Sequence, residues 1–275
     1  MSNSKCKPFI KWLGGKTQLL PHLLPYVPDQ INHYVEPFLG GGALYFAIHD
    51  RIKKGILADS NQELINTYIA VRDHPHDLMG LLEYHREQHT LDENYYYGMR
   101  ENEPLTLIES GARLIYLNKT CFSGLYRLNK KGKFNAALKK GVIHKKPFYN
   151  EESLLACSEA LKKVEIVCRD FQDTLNNLNI EDTFIYADPP YVNIGKVYTA
   201  DWFKDEQQKQ LADILLNYKK LGVNVVASNH DTPFIREIYH EFNGEVVTAN
   251  RRINATRKGG VPNTKWNYTQ ELILS

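Results

Sequence analysis

The sequence predicts a doubly wound α/β sheet that is interrupted by a mainly helical insert. Short apolar runs resemble strands buried on both faces, helical patterns lie between them, and this alternation stops over one long middle stretch. We expect strands at 31–36, 55–58, 164–168, 183–187, 223–227, 246–249 and 271–274, the last two as an antiparallel pair. Helices are expected at 16–24, 43–49, 62–72, 151–163, 205–220 and 233–241.

The alternation is missing between about residues 61 and 160. Helical patterns at 77–89, 94–100 and 106–118 are followed there by a polar, basic stretch with hairpin character at 129–133. We therefore expect 61–160 to form a second domain, inserted into a first domain that is made of 1–60 and 161–275.

Basic residues are concentrated in two segments that contain no Asp or Glu. Residues 111–150 hold ten Lys or Arg and residues 246–270 hold five, which leaves −13 on the rest of a chain whose net charge is +2. A charge run is usually only a solvated face, but 40 residues without an acid repel one another unless a polyanion is near. This distribution favours binding to nucleic acid.

The composition argues against a membrane protein and against a zinc protein. Hydrophobic residues make up 43% of the chain, yet no apolar run approaches the roughly 20 residues that a membrane span needs. The four cysteines are far apart and form no CxxC pair, so we expect no metal site. Free thiols and an N-terminus without an apolar signal core predict a cytoplasmic protein.

A glycine turn follows the first predicted strand, and an acid follows the second. Gly40 and Gly42 lie between a strand and a helix, and Asp59 comes 19 residues after Gly40, the spacing at which an acid holds a ribose hydroxyl. The alternative is an ordinary strand–turn–helix with a capping Asp. Tyr45 stands where a dinucleotide fingerprint needs its third glycine, so an adenosine ligand without a pyrophosphate is favoured.

The segment around Gly14-Gly15-Lys16-Thr17 resembles a P-loop only in part. That motif needs a glycine at Ile10 and a preceding strand, and neither is expected here. We interpret the segment instead as a basic, aromatic cover for a cofactor.

Asp188-Pro189-Pro190-Tyr191 ends a predicted strand. Its simplest interpretation is a rigid turn. Its chemistry suggests more, because the lone pair of an exocyclic amine is delocalised into its ring and attacks poorly. An Asp188 carboxylate and a Pro189 carbonyl, each accepting one N–H, localise that lone pair on nitrogen. Tyr191 can stack on the base that carries this amine. That base must first leave the duplex to reach the site. Residues 192–203, with Tyr198 and Trp202, form either a plain surface loop or a cover over the flipped base.

These residues together resemble the DNA adenine methylases of the Dam type. The resemblance runs over nearly the whole chain, through 9–16, 35–42, 57–61, 117–118, 124–127, 132–135, 188–191 and 228–231. Their order is that of the alpha group of amino-methyltransferases. It implies a Rossmann-like, seven-stranded mixed sheet as catalytic domain and a mainly helical DNA-recognition domain at 61–160. It also implies S-adenosyl-L-methionine as methyl donor and S-adenosyl-L-homocysteine as product.

The resemblance also implies roles for single residues. Catalysis would depend on Asp188, Pro189, Pro190 and Tyr191. The cofactor would be contacted by Trp12, Lys16, Phe38, Gly40, Gly42, Asp59, Asp170, Phe171 and Asp188. Double-stranded DNA would be contacted by Lys119, Phe122, Ser123, Leu125, Arg127, Lys139 and Lys140, with Phe122 inserting into the base stack and Arg127 suited to guanine.

The target is expected to be N6 of a flipped adenine in GATC or a related short site. Relatives that methylate GATC commonly follow the Phe-Asn pair with an apolar residue and proline, whereas Phe134-Asn135 continues here as Ala136-Ala137. The later bases of the site therefore stay open. So do two other functions, a cytosine-N4 methyltransferase and a DNA-binding protein that has lost catalysis. We expect a monomer.

Overall fold

The computed structural model describes residues 6–124, 126–129, 131–141, 146–176, 178–191, 203–252, 255–256, 262–263 and 266–275. The strands within these ranges are β1 (Ile31–Glu36), β2 (Ile52–Asp59), β3 (Val164–Cys168), β4 (Thr183–Ala187), β5 (Asn224–His230), β6 (Gly244–Arg252), β7 (Ala255–Thr256), β8 (Pro262–Asn263) and β9 (Trp266–Leu274). β7 and β8 pair with each other, and the other seven form one mixed sheet in the order β3-β2-β1-β4-β5-β9-β6.

The helices alternate with the parallel strands, as the sequence predicts. They are α1 (Leu20–Leu23), α2 (Ala43–Ile48), α3 (Gln62–Asp73), α4 (Pro75–Leu91), α5 (Tyr95–Glu101), α6 (Leu107–Thr120), α7 (Glu151–Leu161), α8 (Phe171–Leu175), α9 (Asp205–Lys220) and α10 (Pro233–Ile238). The predicted fold class, a Rossmann-like seven-stranded mixed sheet, is confirmed, including the antiparallel pairing of β6 with β9.

The predicted helix at 16–24 is the least accurate of these expectations. Only Leu20–Leu23 is α-helical, and a 3₁₀ turn over Leu24–Tyr26 follows it. Pro25 has no N–H for a continuing helix, so the turn tightens instead. The short helix α8 was not predicted, and it begins where the Asp170 carboxylate accepts a hydrogen bond from the Gln172 N–H.

Side-chain alternation along β4 divides the core between the two faces of the sheet. Phe184 and Tyr186 pack into a cluster with residues of α2, α3, α6 and α7, whereas Ile185 and Ala187 pack into a second cluster with residues of α8, α9 and α10. Successive side chains of a strand point to opposite faces, so one buried strand supplies both clusters. Burial on both faces fixes the position of β4 in the sheet, and with it the position of the residues that follow its end.

Within the predicted insert α6 packs tightly against α3, and the end of α6 contacts the N-terminal segment of the sheet domain. Gly111 of α6 lies so close to α3 that a Cβ added there would be 2.9 Å from the Ala70 Cβ. At the other end of α6, Asn118 accepts a hydrogen bond from the Lys11 N–H and donates one to the Lys11 carbonyl. The division into 1–60 with 161–275 and 61–160 stays a prediction.

Gly111→Ala is expected to destabilise the fold by about 1–3 kcal/mol, because the new methyl overpacks the contact between α3 and α6. The free energy of unfolding in urea measures the change. Gly80→Ala is the matched control, since the exposed Gly80 of α4 has no heavy atom within 4 Å of an added Cβ. Alanine there is expected to stabilise by about 1 kcal/mol. Equal effects of the two substitutions would contradict this packing.

Candidate active site at the carboxyl edge of the sheet

The candidate site is built where parallel strands end. The register pairs Asp59 with Cys168, Val35 with Ile185, and Ala187 with Ala227, so β1, β2, β3, β4 and β5 end at the same edge of the sheet. The sheet order reverses between β1 and β4, where the next strand is added on the other side. Crevices at such a switch point are the common ligand sites of open α/β sheets.

The glycine turn after β1 meets the acid at the end of β2. The Gly40 N–H donates to Asp59 Oδ2 at 3.0 Å, and the Asn61 N–H donates to Asp59 Oδ1 at 3.0 Å. Gly40 and Gly42 have φ of +48° and +63°, a region that favours glycine. Burial raises the pKa of Asp59, and the hydrogen bonds from these backbone amides oppose that rise.

Trp12 covers the glycine turn and connects it to Tyr126 in the segment that follows α6. A Cβ on Gly40 would lie 2.9 Å from the Trp12 ring, so only glycine allows this approach. The indole also stacks on Tyr126, with ring centroids 4.9 Å apart. Phe38 and Phe171, both predicted to contact the cofactor, stack at 5.5 Å beside Phe203. The structure therefore brings the aromatic candidates to the same edge as Asp59.

Asp188 lies at the end of β4 with two partners from distant parts of the chain. Lys16 Nζ is 2.7 Å from Asp188 Oδ2, and the Ser228 hydroxyl donates to Asp188 Oδ1 at 2.9 Å. The same ammonium donates to the Gly14 carbonyl at 2.7 Å. Burial raises the pKa of Asp188, while Lys16 and then Ser228 oppose the rise because they stabilise the charged carboxylate.

Tyr191, the last residue of the tetrad, is held by β5 and β9. Its hydroxyl donates to the carboxylate of Glu271, a buried residue of β9. The His230 imidazole stacks on its ring with centroids 6.0 Å apart, and Lys16 Nζ lies over the ring at 4.8 Å. The phenol is thus fixed in orientation, while its face is in contact with a cation.

Pro190 is also fixed from outside the tetrad. The Gln208 amide of α9 donates to the Pro190 carbonyl at 2.9 Å and accepts from the Asn229 amide at 3.0 Å. Sequence analysis did not find Gln208, Glu271 or Tyr126. Gln208 does carry a signal, because it falls on the apolar stripe of α9 with Leu211, Ala212 and Leu215.

Apart from Lys119, which lies in the last turn of α6, the candidate DNA-contacting residues follow α6 in the chain. Phe122 is 42% exposed, and Ser123 follows it in a left-handed conformation with φ of +61°. The Phe122 N–H donates to the Ala137 carbonyl. This bond joins the turn at Phe122 to the segment that carries the exposed Lys139 and Lys140. Burial lowers the pKa of Lys119, with a contribution from the charge of Lys11. Leu125 and 192–202, with Tyr198 and Trp202, lie outside the described residues.

Arg127 is engaged within the predicted hairpin rather than extended from it. Its Nε donates to Asn135 Oδ1 at 2.7 Å, and its Nη2 donates to the Asn135 carbonyl at 2.8 Å. Leu128 and Phe134 form an antiparallel bridge, and the Asn129 N–H donates to the Lys133 carbonyl. Two donors of the guanidinium thus already support the hairpin.

The described residues form neither a metal site nor a membrane span. No group of three or more His, Cys, Asp or Glu side chains there is arranged to hold a metal ion. No helix in the same part of the chain is long and apolar enough to cross a bilayer.

Comparison with known proteins decides the family. The family model of the D12 class N6 adenine-specific DNA methyltransferases matches residues 12–253. The chain belongs to this family. It is 33% identical to the type II methyltransferase M1.LlaDCHI of Lactococcus lactis subsp. cremoris, over 98% of this chain and 95% of that protein. It is 35% identical to the type II methyltransferase M.MjaIII of Methanocaldococcus jannaschii, over 93% of this chain and 96% of that protein.

The DNA adenine methylase of Escherichia coli (strain K12) is 30% identical, with 92% of each chain covered. These matches confirm the predicted resemblance to Dam-type methylases, and this chain is an adenine-specific DNA methyltransferase.

Ser228→Ala is expected to move the acid limb of the pH–rate profile for methyl transfer to higher pH. The Ser228 hydrogen bond lowers the pKa of Asp188, so its loss raises that pKa, and the carboxylate is protonated before the pH has fallen as far. Ser158→Ala, another buried serine whose hydroxyl bonds the Arg72 carbonyl, is the matched control. Superimposable acid limbs for Ser228→Ala and wild type would contradict this coupling.

Proposed function

We propose that this enzyme transfers the methyl group of S-adenosyl-L-methionine to N6 of an adenine that has been flipped out of double-stranded DNA. The observation that carries the proposal is the partly buried Asp188 carboxylate at the end of β4, paired at 2.7 Å with the buried Lys16 beside the glycine turn. The target is GATC or a related short site. We propose that the enzyme acts as a monomer on chromosomal or phage DNA in the cytoplasm.

The residues at the sheet edge fit an adenosine-bearing cofactor. Asp59 ends β2 as a ribose-binding acid does, and its carboxylate accepts from the Gly40 N–H of the glycine turn. Phe38, which stacks on the buried Phe171, offers aromatic surface for the adenine ring, and Trp12 and Lys16 cover the same edge. When bound, the cofactor supplies an electrophilic methyl group on its sulfonium.

The chain's own task is to make a weak amine nucleophilic. The Asp188 carboxylate accepts one N–H of the adenine amino group and the Pro189 carbonyl accepts the other, which localises the nitrogen lone pair. Pro189 and Pro190 have no N–H to compete for these acceptors. Because burial raises its pKa, Asp188 is also a better proton acceptor than an exposed aspartate. Tyr191, whose hydroxyl is held by Glu271, stacks on the base.

Base flipping is assigned to the turn after α6. A base inside a duplex cannot reach the tetrad, so it has to leave the stack. Phe122 is an exposed aromatic on a strained turn, which suits insertion into the space that the base leaves, and Ser123 follows it. Lys119, Lys139 and Lys140 supply charge for the phosphates in a segment that has no acid.

The assay that tests this proposal is transfer of labelled methyl to duplex DNA, with the modified base identified by mass spectrometry. Wild type is expected to give N6-methyladenine, and Asp188→Ala is expected to lose at least about 100- to 1000-fold in rate. Asp213→Ala, an exposed aspartate of α9, is the matched control.

Each contrary outcome removes one part of the proposal. Label on cytosine N4 overturns the target base. Sequence-specific binding by wild type without any transfer supports a DNA-binding protein that has lost catalysis. Equal rates for Asp188→Ala and wild type overturn the mechanism.

We further propose that Arg127 reads a guanine of the site. Arg127→Ala is then expected to cost about 1–3 kcal/mol of discrimination at one base pair. Asn135→Ala separates this role from support of the hairpin, because it removes the side-chain partner of Arg127 and keeps the guanidinium. Binding to sites that differ at single base pairs measures both variants.

Retained discrimination in Asn135→Ala is expected. The same loss in both variants would make Arg127 a support of the hairpin and not a reader. Lys139→Ala is expected to weaken binding to all sequences alike and to reduce the salt slope by about 1.

A further inference from the structure

We propose that Gln208 and Asn229 are positioning residues that hold the Pro190 carbonyl away from the target amine and so leave the Pro189 carbonyl to accept its N–H. This inference rests on the proposed function of the tetrad. The two amides form a chain of three hydrogen bonds that begins at the Pro190 carbonyl and ends at the His230 N–H.

The direction of this chain is fixed at both ends. A backbone carbonyl only accepts, so the Gln208 Nε2 has to face Pro190, at 2.9 Å. Gln208 Oε1 then faces the Asn229 amide, which donates to it at 3.0 Å. Asn229 Oδ1 is left to accept from the His230 N–H at 2.8 Å, and that group only donates. Neither amide can be turned around without breaking two hydrogen bonds.

Burial shows that this arrangement is specific. Gln208 is 0% exposed and Asn229 is 1% exposed, on α9 and β5 respectively. The neighbours of Gln208 on the same face of α9 are Leu211, Ala212 and Leu215, so an apolar side chain would suit packing at this position. A buried amide is unfavourable unless it is hydrogen-bonded, and when bonded it holds one orientation.

The tetrad needs such an external partner because of its own sequence. Consecutive prolines have no N–H groups with which the turn itself could bind a neighbouring element, so the hydrogen bonds that its carbonyls accept from outside matter more. The amide from α9 orients the second carbonyl. The Pro190 carbonyl belongs to the rigid peptide plane that joins Pro190 to Tyr191, so holding it limits rotation of that plane between Pro189 and the Tyr191 ring. An error of about 1 Å in such positions costs about 100-fold in rate.

Gln208→Glu makes the hydrogen bond to the Pro190 carbonyl depend on pH. A protonated glutamic acid can donate to the Pro190 carbonyl and accept from Asn229, as glutamine does. The ionised form places a second acceptor against the Pro190 carbonyl. Buried carboxyl groups titrate as high as about pH 8–9, so both forms are accessible to assay. The activity lost in Gln208→Glu is therefore expected to return as the pH falls.

The matched control is Gln207→Glu, which introduces the same charge one residue earlier on α9. Gln207 Oε1 only accepts, from the Lys204 N–H, and a glutamate accepts equally well. The charged and titratable groups around the tetrad, Lys16, Asp188, His230 and Glu271, are the same in both variants, which differ only in the position of the new carboxyl group.

The measured quantity is the single-turnover rate of methyl transfer at saturating cofactor and DNA. The ratio of Gln208→Glu to Gln207→Glu is expected to rise at least about ten-fold between pH 9 and pH 6.5. A ratio that does not change with pH, or that falls as the pH falls, overturns the proposal.

Gln208→Met keeps the side-chain length, cannot donate, and needs no titration. It is expected to lose about 10- to 100-fold in kcat at every pH, with an unchanged Kd for S-adenosyl-L-methionine. Unchanged kcat, or a loss confined to cofactor binding, also overturns the role. Asp188→Ala in the same assay separates failure of this inference from failure of the proposed function. If Asp188→Ala is inactive while the Gln208 variants behave like wild type, the proposed function stands and only the role of Gln208 is removed.

Discussion

The partly buried carboxylate of Asp188, paired with the buried Lys16, is the constraint on which the site depends. A carboxylate at the end of a buried strand is unfavourable unless it is paired, and removing one partner of a buried ion pair costs about 3–5 kcal/mol. Its partners are Lys16, from the segment before α1, and Ser228, from β5. Three regions that are far apart in the sequence therefore have to meet at one edge before the charge is satisfied.

The same constraint holds the predicted cofactor site against the residues that follow α6. Lys16 reaches Asp188 only if the preceding residues lie over the glycine turn, which is where Trp12 contacts Gly40 and stacks on Tyr126. Asn118 of α6 fixes this segment through both backbone groups of Lys11. The N-terminal segment is thus bound on one side by the sheet and on the other by α6 and the residues that follow it. A displacement of the sheet edge or of α6 would therefore move Lys16.

The sequence predicted the features that depend on local patterns. Strand ends, the glycine turn and the position of Asp59 follow from apolar periodicity and spacing, which the buried parallel strands obey on both faces. Features that depend on pairing between distant elements were not predicted. Glu271 was assigned only to a strand, yet it bonds Tyr191, and the two hydrogen bonds that Arg127 donates to Asn135 were not predicted. No local pattern encodes the partner of a side chain across the sheet.

The tetrad is therefore a property of the whole sheet edge and not of four residues. Its prolines have no N–H to bind a neighbouring element and one of their carbonyls takes an outside donor, its acid needs a cation, and its phenol needs an acceptor. α9, the N-terminal segment and β9 each supply one of these through Gln208, Lys16 and Glu271. Because every partner comes from a different element, the acceptor geometry exists only when the sheet is fully assembled, which couples the chemistry to the fold more closely than the motif alone implies.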